Sequence, residues 1–115
     1  MVARLESPFI QIGSSEVYGP TAKPALESQA ITPTSPYSIS KGAFDLHLQA
    51  LSDRLPPWNI IRPSNAYCSG QQLHRVIPKA LLAGLTGRRF QLQGGGKAKK
   101  SYIDSHDLSR AILMI

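Results

Sequence analysis

Pro36-Tyr37-Ser38-Ile39-Ser40-Lys41, preceded in the chain by Gly13-Ser14-Ser15-Glu16-Val17-Tyr18-Gly19, decides how this sequence is read. A tyrosine and a lysine four residues apart lie on one face of a helix. There the ammonium favours the phenolate, so a group that ordinarily titrates at about 10 can act as a base at lower pH. Ser14 and Glu16 follow Phe9-Ile10-Gln11-Ile12, an apolar run bounded by Pro8 and Gly13 that reads as a buried strand. Strand ends are where catalytic groups gather in parallel α/β sheets. Hydroxyl, carboxylate, phenol and ammonium are the parts of a site that moves protons and hydride.

Outward from this core, residues 19–36 hold four prolines and several Ser and Thr, the composition of a loop. A helix is predicted from about Pro36 to Leu55, with Pro36 in its first turn and an apolar stripe of Ala43, Phe44, Leu48, Leu51 and Leu55. Pro56-Pro57 ends it. Trp58 to Arg62 reads as a second strand, stopped by Pro63, and Ser64 to Gln72 as a polar loop. A second helix is predicted over Val76 to Leu85, with Pro78 tolerable in its first turn and Gly84 and Gly87 closing it. Phe90 to Gln93 alternates like a short strand, Gly94-Gly95-Gly96 is a flexible turn, and Ser101 to Ile103 suggests one more strand. A last helix follows, with Ser105 as its N-cap and Leu108, Ala111, Ile112 and Ile115 as its stripe. Apolar strands alternating with helices argue for a parallel α/β sheet.

Bulk properties narrow the classes. A chain of 115 residues is one domain at most, and no apolar run approaches membrane-spanning length. Met1 to Pro8 reads as the tail of a helix and a turn, without the apolar stretch of a targeting segment. The last helical pattern stops without a closing glycine, proline or basic turn, so the chain reads as a soluble piece of something longer. Thirteen Lys and Arg against seven Asp and Glu give a net charge of +6. That balance suits phosphorylated substrates as well as nucleic acid. The basic residues are spread along the chain, and only Phe90 and Tyr102 accompany the clusters at 88–89 and 97–100, thin material for base stacking. Cys68 is the single cysteine, which excludes an internal disulfide and fits the cytoplasm. His47, His74 and His106 are scattered, without metal-ligand spacing.

The order of motifs carries more than any one of them. An apolar strand ending in Gly-Ser-Ser-Glu-Val-Tyr-Gly, a proline-rich loop, Tyr37-x-x-x-Lys41 opening a helix, and a strand running into Arg62-Pro63-Ser64-Asn65-Ala66-Tyr67 resemble the second half of an extended short-chain dehydrogenase/reductase. The resemblance is to its NAD-dependent nucleotide-sugar epimerases and dehydratases. It runs from Phe9 to Ile115, with further matches at Val76-Ile77-Pro78, Gly94-Gly95-Gly96 and Tyr102-Ile103-Asp104-Ser105-His106-Asp107-Leu108. It implies a partial Rossmann-like, doubly wound parallel sheet over residues 1–63 and a truncated part of the small substrate-binding region over 64–115. It also implies NAD or NADP as cofactor, a nucleotide-diphosphate sugar as substrate, and a homodimeric parent without nucleic-acid or membrane partners.

By that resemblance Tyr37 is the general base that takes the proton of the sugar hydroxyl being oxidised at carbon 4. Lys41 favours the phenolate and binds the nicotinamide ribose, Pro63 lies by the cofactor, and Ser14 orients the reacting sugar oxygen. Glu16 resembles the glutamate of dehydratases and decarboxylases, which pulls the acidified proton next to a transient ketone. Ser15, on the substrate side, replaces the aspartate of one dehydratase group, so the triplet is closer to the GDP-mannose-dehydratase or sugar-decarboxylase pattern. Asn65 matches an asparagine near the substrate diphosphate. Lys100 stands where the family usually has a phosphate-gripping arginine, and a lysine cannot make the bidentate fork. Cys68-Ser69 replaces a usual Gly-Pro.

The glycine-rich strand–turn–helix that seats a dinucleotide pyrophosphate is not in this sequence, and Gly94-Gly95-Gly96 lacks its spacing. The isolated chain is therefore expected to be inactive. A second reading, suggested by the lysines at 97–100, is a small basic anion- or nucleic-acid-binding module without catalysis.

Overall fold

The computed structural model describes residues 6–115; the predicted helix tail over Met1 to Leu5 lies outside them. The chain divides into two compact units, the first running to Ser64 and including Ile115, the second spanning Asn65–Met114.

In the first unit, β1 (Phe9–Ile12) pairs in parallel with β2 (Trp58–Ile61), from Phe9 opposite Trp58 to Ile12 opposite Ile61. Pairing continues past both strands: Gly13 N–H donates to the Ile61 carbonyl at 2.8 Å, and Ser15 N–H to that of Pro63 at 3.2 Å. The chain then winds into a 3₁₀ turn, Ser15–Tyr18, which the sequence reading does not contain.

Helix α1 (Pro36–Ala50) joins the two strands. Its start is chemically specified. Ser35 Oγ accepts from Ser38 N–H, Ser38 Oγ accepts from Ser35 N–H, and Pro36 occupies the first helical position, where no N–H is needed. The helix ends five residues before the predicted Leu55. Leu51 N–H is shared between the carbonyls of His47 and Leu48, and Ser52–Arg54 form a separate 3₁₀ turn before Pro56. The buried face also differs from the predicted stripe. Ser38, Gly42, Asp45 and Leu48 point inward, Phe44 is half-buried, and Ala43 is exposed. Small residues at 38 and 42 let the helix approach the 3₁₀ turn closely: a Cβ on Gly42 would lie 3.0 Å from Ile31 Cγ2 and 3.9 Å from Val17 Cγ1. Val17, Tyr18 and Leu48 are the buried apolar residues among those described.

In the second unit, β3 (Asn65–Tyr67) pairs in parallel with β4 (Tyr102–Asp104). β3 falls inside the stretch predicted as loop, because three residues carry too little pattern to be read. Helix α2 (Val76–Thr86) forms as predicted and closes on Gly87 at φ 64°, with Arg88 N–H donating to the Ala83 carbonyl and Gly87 N–H to that of Gly84. The predicted strand over Phe90 to Gln93 is absent: its alternation meets no neighbouring strand, so its backbone has nothing to pair with. Gly94, Gly95 and Gly96 make a turn with positive φ. Helix α3 (Ser105–Ile112) is capped by Asp104, whose carboxylate accepts from His106 N–H at 2.8 Å, and not by Ser105. A carboxylate serves the helix's positive end better than a hydroxyl does. In α3, Leu108 and Ile112 are half-buried and Ala111 is exposed; Ile115 of the predicted stripe lies beyond the helix end and is exposed. Each unit carries a two-stranded parallel sheet with helices, the α/β class expected.

Candidate active site

Ser14 occupies the step between β1 and the 3₁₀ turn. Its backbone is extended (φ −157°, ψ 139°), and its Oγ accepts from Glu16 N–H at 3.2 Å, capping the turn. That bond uses one of the oxygen's two lone pairs and leaves the hydroxyl proton available for donation to a ligand. The residue is 7% exposed. Ser15 and Glu16 are half-buried, Ser15 tied through its N–H to Pro63. Gly19 closes the turn at φ 67°, donating to the Glu16 carbonyl.

Tyr37 lies in the first turn of α1 and is 53% exposed. Lys41, one turn on, is half-buried and donates through Nζ to the Ile12 carbonyl at 3.2 Å. The helix face with Tyr37 and Lys41 is thereby held at the strand end where Ser14 begins. Two of the three ammonium N–H donors remain for a ligand.

Behind these groups lies a cluster that the sequence reading does not contain. Asp45 is fully buried and its Oδ2 accepts from Arg62 Nε at 2.7 Å. Arg62 Nη1 donates to the Tyr18 hydroxyl at 2.7 Å, and the guanidinium carbon lies 5.3 Å from the centroid of the Tyr18 ring. Desolvation opposes the arginine's charge, but the hydrogen bonds to Asp45 and Tyr18 outweigh it and raise its pKa above the ordinary value. Asp45 Oδ1 is buried without a partner among the described residues. A signal existed in the sequence: Asp45 is three residues before Leu48, so a carboxylate on the buried stripe demands a buried cation.

Asn65 and Lys100 belong to the second unit. Asn65 is exposed in β3, its backbone N–H and its Nδ2 both donating to the Ser101 carbonyl, at 3.3 and 3.2 Å. Lys100 is exposed and directly precedes Ser101, the residue whose carbonyl Asn65 engages. The structure thus gathers Ser14, Ser15, Glu16, Lys41 and Pro63 at one strand end with Tyr37 on the adjoining helix, and Asn65 with Lys100 in the other unit.

A nicotinamide dinucleotide finds part of its requirements here. Lys41 offers donors suited to ribose hydroxyls. The pyrophosphate cradle is missing: among the described residues, the glycines with positive φ lie at 19, 70, 87 and 94–96, and none opens an α-helix after a strand. The residues fit the nicotinamide-ribose end of such a cofactor and not its adenine half. Among the described residues there is no cluster of three or more metal-ligating side chains, and no helix is long and apolar enough to cross a membrane.

A model of the NAD dependent epimerase/dehydratase family matches residues 1–115. The human dTDP-D-glucose 4,6-dehydratase is 32% identical over 115 residues, covering 98% of this chain and 33% of the relative. An Arabidopsis thaliana trifunctional UDP-glucose 4,6-dehydratase/UDP-4-keto-6-deoxy-D-glucose 3,5-epimerase/UDP-4-keto-L-rhamnose-reductase is 30% identical over 112 residues, covering 93% of this chain and 17% of the relative. Among solved structures, dTDP-glucose 4,6-dehydratase from Bacillus anthracis in complex with NAD superposes with a TM-score of 0.82 at 30% identity, over 91% of this chain and 35% of that one. The chain therefore spans from about a sixth to about a third of the length of these relatives.

Proposed function

The chain belongs to the NAD dependent epimerase/dehydratase family, and from that premise we propose that it is the catalytic-side portion of an enzyme that transiently oxidises a nucleoside-diphosphate hexose at carbon 4. Residues 1–63 form the catalytic half of the Rossmann-like domain and 64–115 part of the substrate region, a reading supported by the division of the chain after Ser64. The observation that carries the proposal is the tie between Lys41 Nζ and the Ile12 carbonyl, which draws the Tyr37 and Lys41 face of α1 to the end of β1, next to Ser14. Membership of the family leaves the basic binding module without support.

In this reading Ser14 donates its hydroxyl proton in a hydrogen bond to the carbon-4 oxygen and fixes its direction. Tyr37, as phenolate, accepts the proton of that oxygen, and Lys41 stabilises the phenolate while its remaining N–H groups take ribose hydroxyls. Bound NAD, the cofactor crystallised with the Bacillus anthracis relative, supplies the hydride acceptor. The ketone formed at carbon 4 acidifies the hydrogen at carbon 5. Glu16, in the first turn after Ser14, is the base for that hydrogen, which favours dehydratase or decarboxylase chemistry over simple epimerisation. The names of the relatives, two of them 4,6-dehydratases and one a trifunctional enzyme with dehydratase activity, support the dehydratase choice. Asn65 and Lys100 bind the substrate diphosphate, Lys100 as a point charge. Exposed Ile39 and Leu46 on α1 support pairing with a second copy, and exposed, unpaired Cys68 supports a cytoplasmic setting.

The test is turnover by a holoenzyme that carries this chain together with a dinucleotide-binding segment. Adding a nucleoside-diphosphate glucose should give transient absorbance of reduced nicotinamide and a 4-keto-6-deoxy product. Absence of both with dTDP-, UDP- and GDP-hexoses would overturn the proposal.

A further inference from the structure

We propose that Arg62, Asp45 and Tyr18 are positioning residues that fix the Ser14–Glu16 turn against the helix face carrying Tyr37 and Lys41. The inference rests on the catalytic reading above and adds three residues to it. Ser14 and Tyr37 must meet at one substrate oxygen, yet they come from different elements. Arg62, directly after β2, reaches both: Nε to Asp45 of α1 and Nη1 to the hydroxyl of Tyr18, the last residue of the 3₁₀ turn, each at 2.7 Å. Asp45 lies one helical turn after Lys41, so the two ties from α1 to neighbouring elements sit on consecutive turns of one face. The Lys41 tie uses an ammonium that must also serve a ligand. The Arg62 tie uses no reacting group and stays in place while the chemistry proceeds.

The geometry favours positioning over mere packing. A guanidinium is planar, and two hydrogen bonds from its fixed fork define both distance and orientation. The Tyr18 ring lies under the same guanidinium, which limits the turn's rotation. Tyr18 is two residues from Glu16, whose N–H holds the Ser14 hydroxyl oxygen. Thr32 also holds the turn's backbone, its N–H donating to the Val17 carbonyl at 2.9 Å and its Oγ1 to the Tyr18 carbonyl at 2.8 Å. Losing the Tyr18 hydroxyl should therefore loosen the turn without detaching it and leave α1, with its Tyr37 and Lys41, unchanged.

The experiment compares Tyr18→Phe and Arg62→Lys with the parent in two arms. Amide hydrogen exchange on the chain should accelerate about tenfold at Glu16 and Gly19 in Tyr18→Phe, with the α1 interior amide of Leu48 unaffected. In the holoenzyme, kcat should fall about ten- to a hundredfold with KM nearly constant. The deuterium isotope effect from substrate labelled at carbon 4 should also rise, because oxidation becomes rate-limiting. A smaller amount of folded enzyme would lower kcat without changing the isotope effect. Unchanged exchange at Glu16, uniform acceleration across the chain, or an unchanged isotope effect would overturn the positioning role. A parent holoenzyme without turnover would instead defeat the proposed function, and the exchange arm would still decide the coupling.

Discussion

Lys41 donates through Nζ to the backbone carbonyl of Ile12 at 3.2 Å, so the lysine of the Tyr37–Lys41 pair also ties helix α1 to the end of strand β1. Open α/β sheets bind ligands beyond the carboxyl ends of their strands, and this one contact brings a cation there from an element that begins 24 residues later. The Tyr37–Lys41 pair thus acquires a definite location. Ser14 starts two residues beyond Ile12, with its hydroxyl oxygen already engaged by Glu16 N–H.

Replacing the phenol tests the assigned base. In a holoenzyme carrying this chain, Tyr37→Phe should lower kcat by about 10²- to 10⁴-fold. Cofactor retention, read from nicotinamide absorbance in the purified protein, should be little changed. Near-normal turnover would remove Tyr37 from the mechanism.

Glu16→Gln keeps the shape of the side chain and deletes its basicity. Exchange of the carbon-5 hydrogen with deuterated solvent, followed by mass spectrometry of the sugar, should then stop, while oxidation at carbon 4 continues. If exchange persists at the parent rate, Glu16 is not the base.

The Arg62–Asp45 pair should weigh on stability as well. Arg62→Met leaves a fully buried carboxylate without its partner, a change that typically costs about 3–5 kcal/mol. The double variant Arg62→Met/Asp45→Leu should recover most of that loss, because it also removes the charge. Urea unfolding of the two variants beside the parent measures the difference, and equal losses would contradict the pairing.

Two glycines should respond in opposite directions to alanine. Gly19 has φ 67° and a Cβ there would lie 2.3 Å from the Thr32 carbonyl oxygen, so Gly19→Ala should destabilise by at least about 1–3 kcal/mol. Gly84 lies inside α2 with nothing within 4 Å of the added Cβ, and Gly84→Ala should stabilise by about 0.5–1 kcal/mol. Thermal unfolding of both variants reads the two signs.

What the sequence by itself determined is local. The apolar run Phe9–Ile12 between proline and glycine, Pro36 in a first turn and Gly87 after a helix each name their element, because the signal and its effect lie within a few residues. Ser14, Glu16, Tyr37 and Lys41 likewise stand out by motif order, and the chemistry proposed for them rests on that pattern. Tertiary structure decided what depends on a partner far along the chain. β3 exists because β4, far along the chain, pairs with it from Asn65 opposite Tyr102 to Tyr67 opposite Asp104, whereas Phe90 to Gln93, with better alternation, finds no strand beside it. The buried face of α1 is chosen by what it meets, so Ala43 faces solvent and Asp45 faces inward. Arg62 joins residues 17 and 44 positions away. Such contacts leave no periodic trace, since their free energy arises only when desolvated charges and hydrogen-bonding groups are brought together by the folded chain.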